Sequence, residues 1–169
     1  MNTTMTLPQA RLELALCQAD ADMANSSDLY IRLTEMGLPS EVSIRLKELL
    51  EVVKPIGEKM VSIGKIIVLK LIEFIEKHSN LATGIALGAA VSSLIAAIPF
   101  LGPILAPIAL PLGIAVGAIA GHRVDKAQGG KINGDLGFIS IAQEVIEIAR
   151  AFFQLFIDAL MTISAEFGQ

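Results

Sequence analysis

The chain of 169 residues contains no tryptophan, one tyrosine, two histidines and one cysteine, Cys17. A lone cysteine excludes an internal disulfide and a thiolate metal cluster. His78 and His122 have no nucleophile or metal partner near them in the sequence, and phosphate-binding, HExxH and GxSxG motifs are absent. We therefore expect a protein that is not an enzyme and that uses no cofactor and no metal.

Basic residues are also few, with 13 Lys and Arg against 17 Asp and Glu, so the net charge is −4. No basic patch is interleaved with aromatic residues, and we set nucleic-acid binding aside. The N-terminus from Met1 to Arg11 lacks the basic and apolar regions of a secretory signal peptide. We expect synthesis in the cytoplasm and, if the protein leaves its cell, export by a route that reads no such signal.

The most informative absence is that of ionic groups from Ser79 to Gly121, a run of 43 residues. Two segments of 18 residues lie inside it, Leu81 to Ile98 and Ile104 to Gly121. A helix of that length measures about 27 Å, close to the roughly 30 Å of hydrocarbon in a bilayer. We predict a hydrophobic helical hairpin at 79–122 that inserts into a membrane. Two buried helices of a soluble bundle are the alternative, although such helices usually keep a charged face.

Small residues recur at every fourth position of both segments, and residues four apart share a face of a helix. Glycine inside a helix costs about 1 kcal/mol relative to alanine, so such a ladder indicates that another backbone packs closely against it. The sequence therefore predicts a glycine zipper, with a first ladder at Gly84, Gly88, Ser92 and Ala96 and a second at Ala109, Gly113, Gly117 and Gly121.

Prolines also recur at every fourth position, from Pro99 between the two segments to Pro111 inside the second. The stretch from Pro99 to Pro103, with Gly102, has no ionic group and is predicted to form the turn of the hairpin. Pro107 and Pro111 each remove a backbone donor, so the second helix is either kinked or regular only after Pro111.

The remaining residues show the periodicity of amphipathic helices, and we predict an all-α fold in one domain, a helical bundle with amphipathic helices around the hairpin. Residues 1–40 are expected to form short helices. Thr6 and Gln9 have the spacing of a capping box and begin a helix that runs to about Met23. A second helix is expected from Leu29 to Met36.

Residues 41–78 are predicted to form two amphipathic helices separated by Pro55. Both helices cover apolar neighbours in water or, alternatively, lie at a lipid interface. The first buries Val42, Leu46, Leu49 and Val53, and the second runs from Ile56 to about Lys77 and buries Met60, Ile63, Ile67, Leu71, Phe74 and Ile75.

The C-terminal part, 132–167, is predicted to contain a helix from Phe138 to about Ile163 that is apolar nearly all round. Its polar residues form one narrow stripe, which faces water in a soluble protein or an aqueous lumen in an assembled pore. The candidate pore-lining residues are Gln143, Glu147, Arg150, Gln154 and Asp158.

Charged amphipathic helices around an uncharged hairpin resemble the pore-forming domain of colicins. The short chain, the missing signal peptide and the ladders Gly84/Gly88 and Gly113/Gly117/Gly121 resemble more closely the small glycine-zipper pore-forming effectors that bacterial type VI secretion systems inject into competitors. The resemblance implies a toxin that forms a homo-oligomer in the lipid bilayer and depolarises a target cell's inner membrane. It also implies a secretion carrier or chaperone and a cognate immunity protein as partners.

Two other classes of protein stay open. One is a resident membrane protein, such as a holin or a small scaffold, and the other is a soluble helical interaction module. Cell fractionation distinguishes them, because a resident protein occurs only in membranes and a module only in the soluble fraction, whereas a delivered toxin occurs in both.

The sharper ladder generates a first prediction. Gly117→Leu is expected to abolish ion conductance in liposomes, because a large side chain keeps the helices of an oligomer apart. The helical content in aqueous buffer, measured by circular dichroism, is expected to stay near that of the unmodified chain. Normal ion flux from this variant would count against the zipper.

Overall fold

The computed structural model describes residues 5–108 and 133–167, and these are mostly helical, as the all-α prediction requires. The helices are α1 (Leu7–Met23), α2 (Ser26–Glu35), α3 (Ser40–Leu49), α4 (Ile63–Lys77), α5 (Thr83–Ala97), α6, which begins at residue 102 and is described to residue 108, and α7 (Asn133–Phe167). Between α3 and α4 the chain forms two short antiparallel strands, β1 (Lys54–Ile56) and β2 (Lys59–Val61).

The central element is α4, which contacts α1, α2, α3, α5 and α7. Five of its apolar residues, Ile63, Ile67, Leu71, Phe74 and Ile75, are buried as predicted, and Ile66, Val68 and Ile72 are buried as well. Burial on so many sides is typical of a core helix rather than of an amphipathic surface helix. The position of each neighbouring helix therefore depends in part on its contacts with α4.

The starts of α1 and α2 follow capping signals in the sequence. The Thr6 hydroxyl accepts a hydrogen bond from the Gln9 amide at 3.3 Å, and the Gln9 side chain accepts one from the Thr6 amide at 2.9 Å. Asn25 caps α2, which begins three residues before the predicted Leu29. After α2 the chain turns at Gly37, whose φ of 76° is accessible to glycine at little cost.

The prediction of a helix from Ile56 is wrong for its first seven residues. Residues 54–61 form the β-hairpin, with Pro55 paired to Met60 and a two-residue turn in which Gly57 has a φ of 66°. Ile56 and Val61 point into the core, whereas Met60 is 66% exposed instead of buried. The preceding helix, α3, ends at Leu49 and leaves Val53 exposed, also against the prediction.

A close approach of two backbones fixes the start of α4. A Cβ atom added to Gly64 would lie 1.8 Å from the carbonyl oxygen of Leu49 and 3.0 Å from Cβ of Val52. The Gly64 amide donates to the Val52 carbonyl at 3.1 Å. Only glycine leaves room for the end of α3 to lie against α4 at this point.

The longest helix, α7, carries α5 and α1 along its length and also contacts α4 and β1. It begins at Asn133 and ends at Phe167, so it exceeds the predicted Phe138–Ile163 at both ends. Its described apolar core side chains are Val145, Ala149, Phe153, Phe156, Ile157, Ala159, Leu160 and Ile163.

The backbone approach at Gly64 predicts the cost of a single methyl group. Gly64→Ala is expected to lower the free energy of unfolding by about 3 kcal/mol, at the upper end of overpacking effects, because backbone rather than a flexible side chain occupies the site. Urea unfolding followed by circular dichroism measures the loss.

Gly102→Ala is the matched control for this variant, since no heavy atom lies within 4 Å of an added Cβ at Gly102. Its free energy of unfolding is expected to change by less than about 1 kcal/mol. Equal destabilisation by the two alanines would contradict the packing of α3 on α4.

Candidate functional site

The first half of the predicted hairpin forms α5, an uncharged helix that packs on α7 and α4. Its inner face buries Ala86, Leu87, Ala90, Val91 and Leu94. The Ser93 hydroxyl on this face is buried too, but it donates to the Ala90 carbonyl at 2.9 Å and is therefore satisfied within the helix. The charged helices α4 and α7 thus supply the apolar cover of a helix that has no ionic group of its own.

The first small-residue ladder lies on the other side of α5. Gly84 and Gly88 are half-buried, and Ser92 and Ala96 are exposed. None of these four residues belongs to the fully buried face of α5. The second ladder, which consists of Ala109, Gly113, Gly117 and Gly121, lies outside the described residues.

The predicted spanning length is not reached by the first segment. Instead of 18 residues from Leu81 to Ile98, α5 has 15, about 23 Å at 1.5 Å per residue. It ends at Ala97 because Pro99 pushes the preceding Ile98 out of the helical region, to φ −126° and ψ 95°. None of the helices in the described ranges combines the length and the apolar character that crossing a membrane requires.

The proline-rich stretch begins with a tight turn, although Gly102 and Pro103, which were predicted to lie in the turn, belong to α6. Pro99 opens a 3₁₀ turn that ends at Leu101, and α6 follows directly from Gly102. Pro103 occupies the first turn of α6, where a missing amide is tolerated. Helical geometry is therefore regained before Pro107, not first after Pro111, which lies outside the described residues together with His122.

The predicted polar stripe of α7 lies along the outside of the bundle. Gln143, Glu147 and Arg150 are exposed, and Gln154 and Asp158 are half-buried. The Gln154 amide donates to a carboxylate oxygen of Asp158 at 2.8 Å, one turn away. The stripe is continuous in this arrangement and faces away from the buried side of α7.

An aromatic cluster holds the end of α4 against α7 immediately before α5. The Phe74 ring lies 5.4 Å from that of Phe152 and 5.8 Å from that of Phe153, and the His78 ring lies 4.4 Å from Phe74. The Lys77 ammonium sits 5.3 Å from the centre of the Phe152 ring. These contacts give His78 a packing role and place the start of α5 beside α7.

Sequence reasoning missed this cluster, although its signals are present. Phe74 and His78 are four apart and share a helix face, and Phe152 and Phe153 are adjacent on α7. The pattern does not reveal which helix the paired rings contact. That depends on the tertiary arrangement.

The other end of α4 is held by α1. The Gln18 side chain accepts from the Ser62 amide at 2.8 Å and donates to the Ser62 hydroxyl at 3.2 Å and to Asp22 at 2.9 Å. Ser62 is the N-cap of α4, and its side chain makes no capping hydrogen bond. The backbone amide of Ser62, which has no partner inside α4, is satisfied by the side-chain oxygen of Gln18 from α1. Both ends of α4 are thereby fixed before the chain enters α5.

Next to this contact, the single thiol is buried between α1 and α4. Cys17 lies in a narrow crevice with Ile66, Leu69 and Lys70, and its sulfur is 3.6 Å from a carboxylate oxygen of Glu13. Burial raises the pKa of Cys17 to about 11, with the Lys70 charge acting in the opposite direction and Glu13 adding to the rise. The thiol is accordingly a poor nucleophile.

Comparison of the chain with protein-family models, curated proteins and solved structures finds no match. Within 5–108 and 133–167, no three His, Cys, Asp or Glu side chains are grouped so that they could hold a metal ion. Among the described residues, the structure brings α4 and α7 together as the helix cover of α5.

The raised pKa predicts slow alkylation of Cys17. With the folded chain at pH 8, iodoacetamide is expected to react about a hundredfold more slowly than with a thiol of ordinary pKa 9.0, because the thiolate is the nucleophile. The rate is expected to keep rising tenfold per pH unit beyond pH 9. The urea-unfolded chain, which serves as the control, is expected to level off near pH 9, and a plateau there in the folded chain would contradict the burial.

Proposed function

We propose that this chain is a pore-forming toxin that inserts its uncharged segment into the inner membrane of a target bacterium and depolarises it by ion conduction. The observation that carries the proposal is the environment of α5, a helix without charge that is covered on one side by α4 and α7 and carries a ladder of small residues on its other side. A ladder with Ser92 and Ala96 exposed is available to a second helix without unpacking the core.

The proposed insertion exchanges one apolar cover for another. In the bundle, Leu87, Val91 and Leu94 are buried against protein. Apolar burial contributes about 25 cal/mol per Å², and lipid acyl chains supply equivalent cover. The two states are then separated by the contacts at the ends of α4, namely the Gln18 hydrogen bonds and the aromatic cluster, rather than by the burial of α5 itself.

Oligomerisation follows in the proposal because one hairpin cannot enclose a channel. Copies associate through the ladder of α5 and through the second ladder, Ala109 to Gly121, known from the sequence. The stripe of α7 from Gln143 to Asp158 then lines an aqueous lumen. Its carboxylates, Glu147 and Asp158, favour cations there, and Arg150 partly opposes them.

The proposal includes delivery from the producing cell. A toxin made in the cytoplasm needs a secretion carrier that covers its apolar segment, and its producer needs an immunity protein that blocks the pore. Expression with an added periplasmic export signal should then be toxic, and expression without the signal should be nearly harmless. Occurrence only in the producer's own membranes would instead indicate a resident membrane protein.

A second candidate function is a helical interaction module. It is favoured by the 15-residue length of α5 and by its full cover on the inner face. Cys17 distinguishes the two functions, because its thiol lies between α1 and α4. Faster alkylation after addition of vesicles indicates that the bundle opens, as insertion requires, whereas an unchanged rate favours the module.

The exposed ladder position Ser92 provides the mutational test. Ser92→Leu is expected to reduce potassium release from liposomes at least about tenfold, because one bulky side chain separates the helices that the ladder brings together. Ser92→Ala keeps the ladder smooth and is expected to release potassium at the unmodified rate. Both variants should unfold within about 0.5 kcal/mol of the unmodified chain, since the position is exposed.

The two variants distinguish an effect of side-chain size at position 92 from an effect of the hydroxyl group. Undiminished release by Ser92→Leu would eliminate the ladder of α5 as the oligomer contact. Equal loss in both variants would assign the effect to the hydroxyl instead of to side-chain size. Loss in the leucine variant alone is the result that the proposal requires.

A further inference from the structure

Helix α1 is apolar on two opposite sides. One side buries Ala10, Leu14 and Ala21 in the core, while on the other Leu12 is 61% exposed and Leu16 is 55% exposed. A surface helix of a globular protein normally presents polar residues outward. The outer side of α1 therefore has an apolar surface that the bundle does not use.

The exposed leucines of α1 meet a third leucine across a groove. Leu12 and Leu16 line it together with Leu155 of α7, which is 62% exposed, and the groove encloses about 350 Å³. Single exposed leucines are ordinary, but convergence of three on one concavity is typical of a binding surface. Met5 and Gln9 complete the lining.

Both ionic groups on the walls of this groove are carboxylates, Glu13 and Asp158. No lysine or arginine lines it within the part of the chain that the structure describes. The surrounding helices have the same sign, since α1 carries three acidic residues and one arginine and α7 carries five acidic residues and one arginine. These helices are thus −2 and −4, and the rest of the chain is +2.

We infer that this groove, lined by Leu12, Leu16 and Leu155 with Glu13 and Asp158 on its walls, binds a basic amphipathic helix of a partner protein. Such a helix places apolar anchors at positions i, i+4 and i+7 into the groove and aligns lysines or arginines with the two carboxylates. The inference is independent of membrane activity.

The charge of the groove selects this occupant over two others. Anionic lipid headgroups are repelled by the carboxylates, and surfaces that dock on membranes are ordinarily basic. A second copy of the same face would place Glu13 and Asp158 opposite carboxylates of equal sign. A positively charged apolar helix satisfies both the leucines and the acids.

The absence of tryptophan from the chain makes the test direct, because emission from a single tryptophan in a peptide has no background. The probe is a synthetic helical peptide of about 15 residues with leucines at i, i+4 and i+11, tryptophan at i+7, and lysines and alanines elsewhere. Titration of the full chain into this peptide is expected to give a saturable blue shift of the emission.

Two control peptides distinguish specific recognition from non-specific binding. The same peptide with every lysine replaced by glutamate is expected to bind at least about tenfold more weakly, and so is a scrambled peptide of identical composition without the apolar face. Binding of the basic peptide is also expected to weaken as salt is raised from low ionic strength.

Variants of the chain locate the site. Leu155→Ser is expected to weaken binding about tenfold or more, and the double variant Glu13→Gln with Asp158→Asn severalfold. Ile44→Ser, on α3 and 50% exposed, is the matched control and is expected to bind the peptide unchanged. Circular dichroism melting checks that each variant is folded.

Four results would overturn the inference. They are no binding of the basic peptide up to about 1 mM, equal binding of the basic and acidic peptides, unchanged binding by the folded Leu155→Ser variant, and a dimer in sedimentation that this variant dissociates. Loss of binding to vesicles of anionic phospholipid in Leu155→Ser, with peptide binding absent, would assign the groove to lipid instead and would also overturn it.

Discussion

The rest of the structure depends on one constraint, which is that a helix without a single ionic group needs apolar cover along most of its surface. The inner face of α5 obtains this cover from α7 and α4, and these helices keep their own charged residues on the outside. The arrangement explains why α4 is buried on nearly every side. It lies between α5 and the N-terminal helices and must present apolar side chains to both.

Because α4 contacts α1, α2, α3 and α7 as well as α5, the contacts at its two ends determine where α5 can lie. At the beginning, Gly64 admits the backbone of α3, and Gln18 from α1 binds the capping residue Ser62. At the end, the rings of Phe74 and His78 pack on those of α7. In the proposed toxin, these end contacts are what a membrane must release.

Short-range signals in the sequence predicted much of the fold. Thr6 and Gln9 identified the start of α1, because caps are determined by neighbouring residues. The sequence did not predict the β-hairpin, since the apolar residues from Ile56 onward also fit a helical period. The turn at Gly57 favours the hairpin over a helix only because Ile56 and Val61 become buried in the core.

The ladder at Gly84 and Ser92 was visible in the sequence, but the side of α5 that faces the bundle was not. That side is determined by tertiary packing against other helices. The exposed leucines of α1 escaped notice because a helix that is apolar on both sides has no clear amphipathic pattern.

The central claim is that the cover supplied by α4 and α7 can be exchanged for lipid, after which copies of the chain conduct ions. Planar-bilayer recording with the purified full chain tests this most directly. The account predicts discrete conductance steps that appear after a delay and whose frequency rises more than linearly with protein concentration. A bilayer that stays silent across the accessible range of voltage and pH, while the chain remains monomeric in solution, would contradict it.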